Sequence, residues 1–385
     1  MGKILSQTEE TVLKSLCFSQ DDLILDDLQK TEFLKCANAH NVLSLIEAVD
    51  PIRQEVISAQ KKAVYQYYRL LFYTRDVIEL LKRNGIKTAV LKGASTARYY
   101  PISEYRKSGD IDLILIDRNK IAQTKKILLD NGFFHMEEKT IHHHEKFVKD
   151  GIELEIHTSF NEAFDDRETN TYLERLLDSL GNNVVYETIN GVMLPILDKP
   201  YEALSLLLHM LSHFLRSGFG LKLLVDWSCF WNTGMSEDET AEYEQMIKEG
   251  GLTGFDDLIT STCVYYLGLK GNDAVIDKET CEEFLKDVFK GEEFGKSEKD
   301  RMVMLRGTSL SDYLREFHHQ MHINFPKAGN YFILWPFLWT FTFIRFVYNN
   351  LFLRHTSFFS IMKKAKERSR YMEKIKLFDH GKKQS

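Results

Sequence analysis

The chain has 385 residues, 44% of them hydrophobic and 28% charged, with a formal net charge of −6. That is the balance of an ordinary soluble globular protein with room for two or three domains, and its negative sign gives no global attraction to nucleic acid. Cys17, Cys36, Cys229, Cys263 and Cys281 are scattered, odd in number and without a C-x-x-C pair, which argues against a disulfide framework or a cysteine zinc site and reads as reduced thiols.

Charged residues recur every few positions from Glu9 onward, so no secretory signal is expected and the expected location is cytoplasmic. The opening M-G-K-I-L-S fits the N-myristoylation pattern, a match too short to build on. Residues 1–57 read as several short helices, with Leu13, Leu16, Leu43 and Ile46 set among charges. A clearer helix covers 58–84, where Val64, Tyr67, Tyr68, Leu71, Ile78 and Leu81 recur at three- and four-residue steps and Asn84-Gly85 makes the stop.

Strands and helices then alternate. Residues 87–91 are a short strand, Lys92-Gly93-Ala94-Ser95 a tight turn, and one or two helical turns follow to Tyr100 before Pro101. A second strand covers 110–116, and Asp117 caps a helix over Ile121, Ile127 and Leu128 that stops at Asn131-Gly132. A third strand is expected at 133–137. Asp150-Gly151 joins strands 144–149 and 152–157 in a hairpin, and Asn190-Gly191 joins strands 184–188 and 192–196 in another.

From Asp198 the pattern is helical. Leu204, Leu207, Leu208 and Leu211 share one face, a second helix covers 221–231, and 236–320 continue in the same style. Residues 331–344 carry no charge and are rich in Phe and Trp. The stretch is too short to span a bilayer and is expected as a buried helix. The segment 363–376, with seven basic and two acidic residues, is expected as a solvated basic helix. A peripheral membrane contact through 331–376 is the alternative.

Chemistry concentrates in Ser108-Gly109-Asp110-Ile111-Asp112-Leu113-Ile114-Leu115-Ile116. Residues two apart on a strand point to the same face, so Asp110 and Asp112 converge while Ile111 and Leu113 face a core. Two carboxylates about 4 Å apart repel by roughly 4 kcal/mol at an effective dielectric of 20, about three pKa units. A bound cation is the natural remedy, and oxygen-only ligands favour Mg²⁺ or Mn²⁺. Glu153, Glu155 and His157 share one face of the strand 152–157. Glu155 is the expected third carboxylate, and Glu153 the alternate that a two-residue slide would bring in.

The Lys92-Gly93-Ala94-Ser95 turn, between strand and helix, offers an anion free N–H groups and the positive end of a helix dipole. Gly93 allows close approach of a phosphate, Ser95 adds a hydroxyl, and Lys92 and Arg106 can neutralise phosphate oxygens. His209 and His213, at i and i+4, have metal-like spacing but no acidic third ligand nearby, so packing or substrate contact is the expectation. Of His142-His143-His144, at most His142 and His144 share a face. Asp226 can contact substrate or cap a domain contact.

The order V-L-K-G-A-S … R-K-S-G-D-I-D-L-I-L resembles the nucleotidyltransferase superfamily of DNA polymerase beta and kanamycin nucleotidyltransferase. With Y-Y-P, E-I-H, L-L-L-H-M-L-S-H and L-L-V-D-W it looks more closely like the bacterial, largely uncharacterised branch, over about residues 60–235. The usual Gly-Ser dipeptide is Gly93-Ala94 here, with the serine one place later. The resemblance implies an α+β fold: a small mixed sheet flanked by N-terminal helices and a C-terminal helical domain, divided at 1–85, 86–197, 198–325 and 326–385. It implies Mg²⁺-dependent transfer of a nucleoside monophosphate from a nucleoside triphosphate to a hydroxyl acceptor, with release of pyrophosphate. Asp110, Asp112 and Glu155 would be the metal ligands and catalytic groups, with Glu155 helping to deprotonate the acceptor, and His157, His209, His213 and Asp226 would approach substrate. A nucleotide-binding or regulatory protein on the same fold, without turnover, is the rival reading.

Overall fold

The structure is a computed structural model that describes residues 4–16, 24–136, 144–164, 166–216, 218–291, 328–348 and 374–381, with isolated positions between 314 and 325. Its centre is a seven-stranded mixed sheet: β1 (Thr88–Val90), β2 (Asp110–Leu115), β3 (Phe134–Met136), β4 (His144–Lys149), β5 (Ile152–His157), β6 (Val184–Ile189) and β7 (Val192–Leu197), in the order β3-β4-β5-β2-β1-β7-β6. Pairing is antiparallel except for β2 with β5 and β1 with β7. Two turns fix much of this register. Asp150-Gly151 and Asn190-Gly191 all take positive φ, from 44° to 82°, the backbone that a two-residue hairpin turn demands.

The helices are α1 (Gln7–Leu16), α2 (Asp27–Ala39), α3 (Arg53–Arg83), α4 (Ala94–Ala97), α5 (Ile121–Asp130), α6 (Arg167–Ser179), α7 (Lys199–Arg216), α8 (Leu221–Thr233), α9 (Glu237–Glu249), α10 (Thr253–Tyr266), α11 (Lys278–Gly291) and α12 (Trp335–Tyr348). Their starts are chemically marked. Asp26 and Gln29 form a capping box at α2, as Ser236 and Glu239 do at α9, each satisfying N–H groups that have no partner inside the helix.

The sheet is covered on both faces. Leu70, Leu71 and Leu81 of α3 and Leu128 of α5 pack with Ile111, Leu113, Leu154 and Ile156 on one side. On the other, Ile114, Ala89 and Leu91 join a larger core that runs from Val12 and Phe33 to Phe255 and Phe284, uniting the N-terminal helices with α7–α11. Strand alternation therefore sends Ile111 and Leu113 one way and Asp110, Asp112 and Ile114 the other, toward the helical layer.

The aromatic segment corrects the expectation of a buried helix. Phe337 is 72% exposed and Phe341 67%, and Tyr331, Phe332 and Ile333 are as open. Trp335 and Trp339 stack against each other and around His318, leaving the phenylalanines uncovered. Apolar composition sets the gain from burial but does not supply a covering element. No helix among the described residues is long and apolar enough to cross a membrane.

Of the basic segment, 363–373 lie outside the described residues. At its described end Lys374 is helical and the chain then turns: Ile375 is buried and the Phe378 N–H donates to the Gly251 carbonyl at 2.8 Å. Gly254 permits this return, since a Cβ there would sit 1.6 Å from the Ile375 carbonyl oxygen.

A buried ion pair ties the helical layer to the sheet. Arg106, just before β2, grips Asp226 of α8 with two bonds, Nε–Oδ1 at 2.7 Å and Nη2–Oδ2 at 2.8 Å, and Tyr100 donates to the same carboxylate at 2.6 Å. Both charged residues are almost fully buried. Removing one partner strands the other charge in a low-dielectric interior. Asp226→Ala is expected to cost about 3–5 kcal/mol, read by urea unfolding. An Arg106→Met/Asp226→Leu double variant should recover much of that loss, and equal losses in the single and double variants would refute the pairing argument.

Candidate metal centre

Parallel pairing sets Asp110 beside Glu153 and Asp112 beside Glu155. Asp110, Asp112 and Glu155 each offer an oxygen within 4.8 Å of the other two. Glu153 is turned outward, half exposed, with its carboxylate 3.4 Å from Lys146 Nζ. The three carboxylates do not stand alone. Lys92 Nζ is 3.1 Å from Asp112 Oδ1, His157 Nε2 is 2.9 Å from the same oxygen, and Lys146 Nζ is 3.0 Å from Glu155 Oε1.

The charges shift one another in readable directions. The Asp112 carboxylate first, and burial second, push Asp110 up to about 6. Burial works against ionised Asp112, yet Lys92 and His157 hold it well below the usual carboxylate range. For Glu155 burial is likewise outweighed, by the His157 hydrogen bond and His144, and its pKa falls to about 2. Burial disfavours charge on Lys92 and His157, but the carboxylates prevail and both pKa values rise. His209 goes the other way, well below its ordinary value, because it is buried and next to Lys92. Its neutral imidazole can then accept from Lys92 Nζ, 3.3 Å from Nδ1.

The other predicted residues are distributed unevenly. Gly93 has φ +69°, a conformation that L side chains rarely adopt, and nothing lies within 4 Å of where a Cβ would stand, so the turn is both glycine-dependent and open. The helix after it is only the four residues of α4, so its dipole is slight. Ser95 is buried and donates its hydroxyl to Glu202 on α7, a carboxylate also gripped by Arg98 and Tyr99. Arg106 is engaged by Asp226, and its Nη1 donates to Ser108 at 2.6 Å. The structure thus gives Ser95, Arg106 and Asp226 contacts within the protein. His213 packs edge-on to His209, with centroids 4.5 Å apart. His142 falls outside the described residues.

One participant, Lys146, was missed in the sequence, and a second, His144, was read only as a strand-face residue. Lys146 is one residue among many lysines, and only the β4–β5 register, which sets it opposite Glu155, reveals it. His144 lies opposite His157 in the same pairing. The hairpin signal at Asp150-Gly151 already contained both facts.

The donor set fits a hard divalent ion: oxygen ligands converge and mutual repulsion raises one of them. A family model described as uncharacterised nucleotidyltransferase matches residues 26–268. The chain belongs to that nucleotidyltransferase family. No curated protein matches the chain. A solved structure, an antigenic nucleotidyltransferase-like protein from Paracoccidioides brasiliensis, is similar over 52% of this chain and 93% of that one, at 15% identity and a TM-score of 0.32, a level of likeness that carries no argument.

A nucleotidyltransferase with this site should couple cation binding to pH. Asp110 moves from 3.8 to about 6 on folding, so its contribution to stability is present below the lower value and lost as pH rises through the upper one. A cation that needs the ionised form should relieve this at neutral pH and compete with the proton below about 6. Mg²⁺ is therefore expected to raise the thermal midpoint more at about pH 7.5 than at about pH 5, measured by calorimetry. An equal rise at both would contradict a role for Asp110 as ligand.

Proposed function

We propose that the protein moves a nucleoside monophosphate from a nucleoside triphosphate to a hydroxyl acceptor, releasing pyrophosphate, with Mg²⁺ or Mn²⁺ held by Asp110, Asp112 and Glu155. Family membership supports the reaction class, and the convergence of three carboxylate oxygens within 4.8 Å is the observation that carries the roles. Divalent ions bound there would neutralise phosphate charge and acidify the acceptor hydroxyl.

The chain's own residues supply the rest. Lys92 keeps a permanent positive charge at the edge of the trio, which suits a polyphosphate. The open Gly93 turn allows backbone to approach phosphate closely. The acceptor oxygen bonds to the α-phosphorus, the bond from that phosphorus to the β-phosphate bridging oxygen breaks, and the acceptor proton needs a base. Glu155, with an oxygen within 4.8 Å of both aspartates, is the carboxylate assigned to take that proton. Asp110 and Asp112 would then serve as ligands, and Glu155 as ligand and base.

The assay is transfer of radiolabelled α-phosphate, or pyrophosphate release, with each of the four ribonucleotides and a cell extract as acceptor source. Asp110→Asn and Asp112→Asn should each lower the rate by on the order of 10³-fold. Undiminished transfer by the double variant would refute these roles. Nucleotide binding without metal and without turnover would favour the regulatory reading.

We further propose that the exposed aromatic segment attaches the protein to an anionic membrane surface. Uncovered Phe337 and Phe341 support an interfacial site, and the seven basic residues against two acidic in 363–376 suit anionic headgroups. The full-length chain should float with vesicles containing phosphatidylserine, and Phe337→Asp/Phe341→Asp should stay at the bottom of the gradient. Equal flotation of both forms would remove this assignment.

A further inference from the structure

Glu155 belongs to two clusters. Its Oε1 is held by Lys146 at 3.0 Å, and its Oε2 faces His157 Nε2 at 3.5 Å and His144 Nε2 at 3.7 Å. The two imidazoles stand opposite each other across β4 and β5, with ring centroids 5.1 Å apart. One donor atom from each of His144, Glu155 and His157 lies within 4.8 Å of the others. Here two nitrogens and one oxygen meet, a set unlike the oxygen-only trio beside it.

Register explains the grouping. His144 and His157 are direct cross-strand partners, and Glu155 lies two residues before His157 on the same face. The Asp150-Gly151 turn fixes that register, so the set is built into the hairpin and needs no distant element. His157 is almost fully buried, and both His144 and Glu155 are only 13% exposed at the side chain. Imidazole nitrogen with carboxylate oxygen suits borderline transition ions, whereas Mg²⁺ keeps to oxygen.

We propose that His144, Glu155 and His157 form a second divalent-cation position that takes a transition ion such as Zn²⁺, Co²⁺ or Mn²⁺, sharing Glu155 with the acidic trio. His157 Nε2 now donates to Asp112 Oδ1 at 2.9 Å. Cation binding there replaces that proton, which leaves to solvent, and the nitrogen lone pair goes to the ion. Asp112 keeps Lys92 as its counter-charge. The position does not depend on nucleotidyl transfer: a transition ion can bind there whether or not the acidic trio turns over a nucleotide.

The test uses the metal-free full-length chain titrated with Co²⁺, whose visible absorption reports imidazole ligation in a low-coordinate site, with calorimetry giving the stoichiometry. The wild type should bind a second Co²⁺ ion with a visible band. His144→Gln should lose that band and weaken that ion by at least about tenfold, while Asp110→Asn keeps it. X-ray absorption of the unaltered chain with one equivalent of Zn²⁺ guards against misfolded variants and should show imidazole scattering. A band unchanged in His144→Gln, loss of the same single ion in both variants, or an oxygen-only Zn²⁺ shell would each overturn the proposal. The Mg²⁺ transfer assay on the wild type reports separately on the nucleotidyltransferase reading.

Discussion

Asp112 and Glu155 lie side by side because β2 and β5 run parallel in one register, and the rest of the site hangs on that pairing. Side chains alternate along a strand, so a slip of one residue would turn Glu155 and His157 to the other face and bring Leu154 and Ile156 out of the core. The slip is opposed from both sides. Leu154 and Ile156 are fully buried against the α3–α5 layer, and the Asp150-Gly151 turn locks β5 to β4. Hydrophobic burial on one face therefore fixes the electrostatics on the other.

That electrostatic face is crowded with charge of both signs. Three carboxylates meet Lys92, Lys146 and the raised imidazole of His157. Buried charges survive only with partners, and removing one leaves another uncompensated. Arg106 and Asp226, a few residues away in space from the same strand, follow the same rule but serve a different end. They anchor the run-in to β2 against α8, so Asp110 is presented from a fixed point. Arg98 and Glu202 do likewise for the turn after β1, holding α4 against α7. Charge therefore has two places here, in the carboxylate cluster and in the ion pairs that fasten the helical layer to the sheet.

Local order was largely legible in the sequence. Both hairpins could be read from Asp150-Gly151 and Asn190-Gly191, β2 from the apolar alternation around Asp110 and Asp112, and α7 from its leucine spacing. These signals lie within a few residues of each other. The ion pair of Arg106 with Asp226 was not legible, because the basic residue is visible while its partner lies 120 positions away and leaves no periodic trace. Ser95 and Glu202 stand 107 apart for the same reason. The aromatic helix illustrates a different gap: composition shows that residues seek burial, but not whether anything in the chain covers them.

Lys92 joins these themes. It leaves β1 at the glycine turn, contacts Asp112 on β2, and reaches His209 on α7. His209 is kept neutral by burial and by Lys92 itself, so it can only receive a hydrogen from the ammonium, never compete with it as a cation. The lysine is thus shared between the acidic strand and the helical layer through one nitrogen. Of the two contacts, the one to His209, made to a neutral ring, is weaker than the ion pair with Asp112. One ammonium thus fastens α7 to the acidic strand, by charge on one side and by a neutral acceptor on the other.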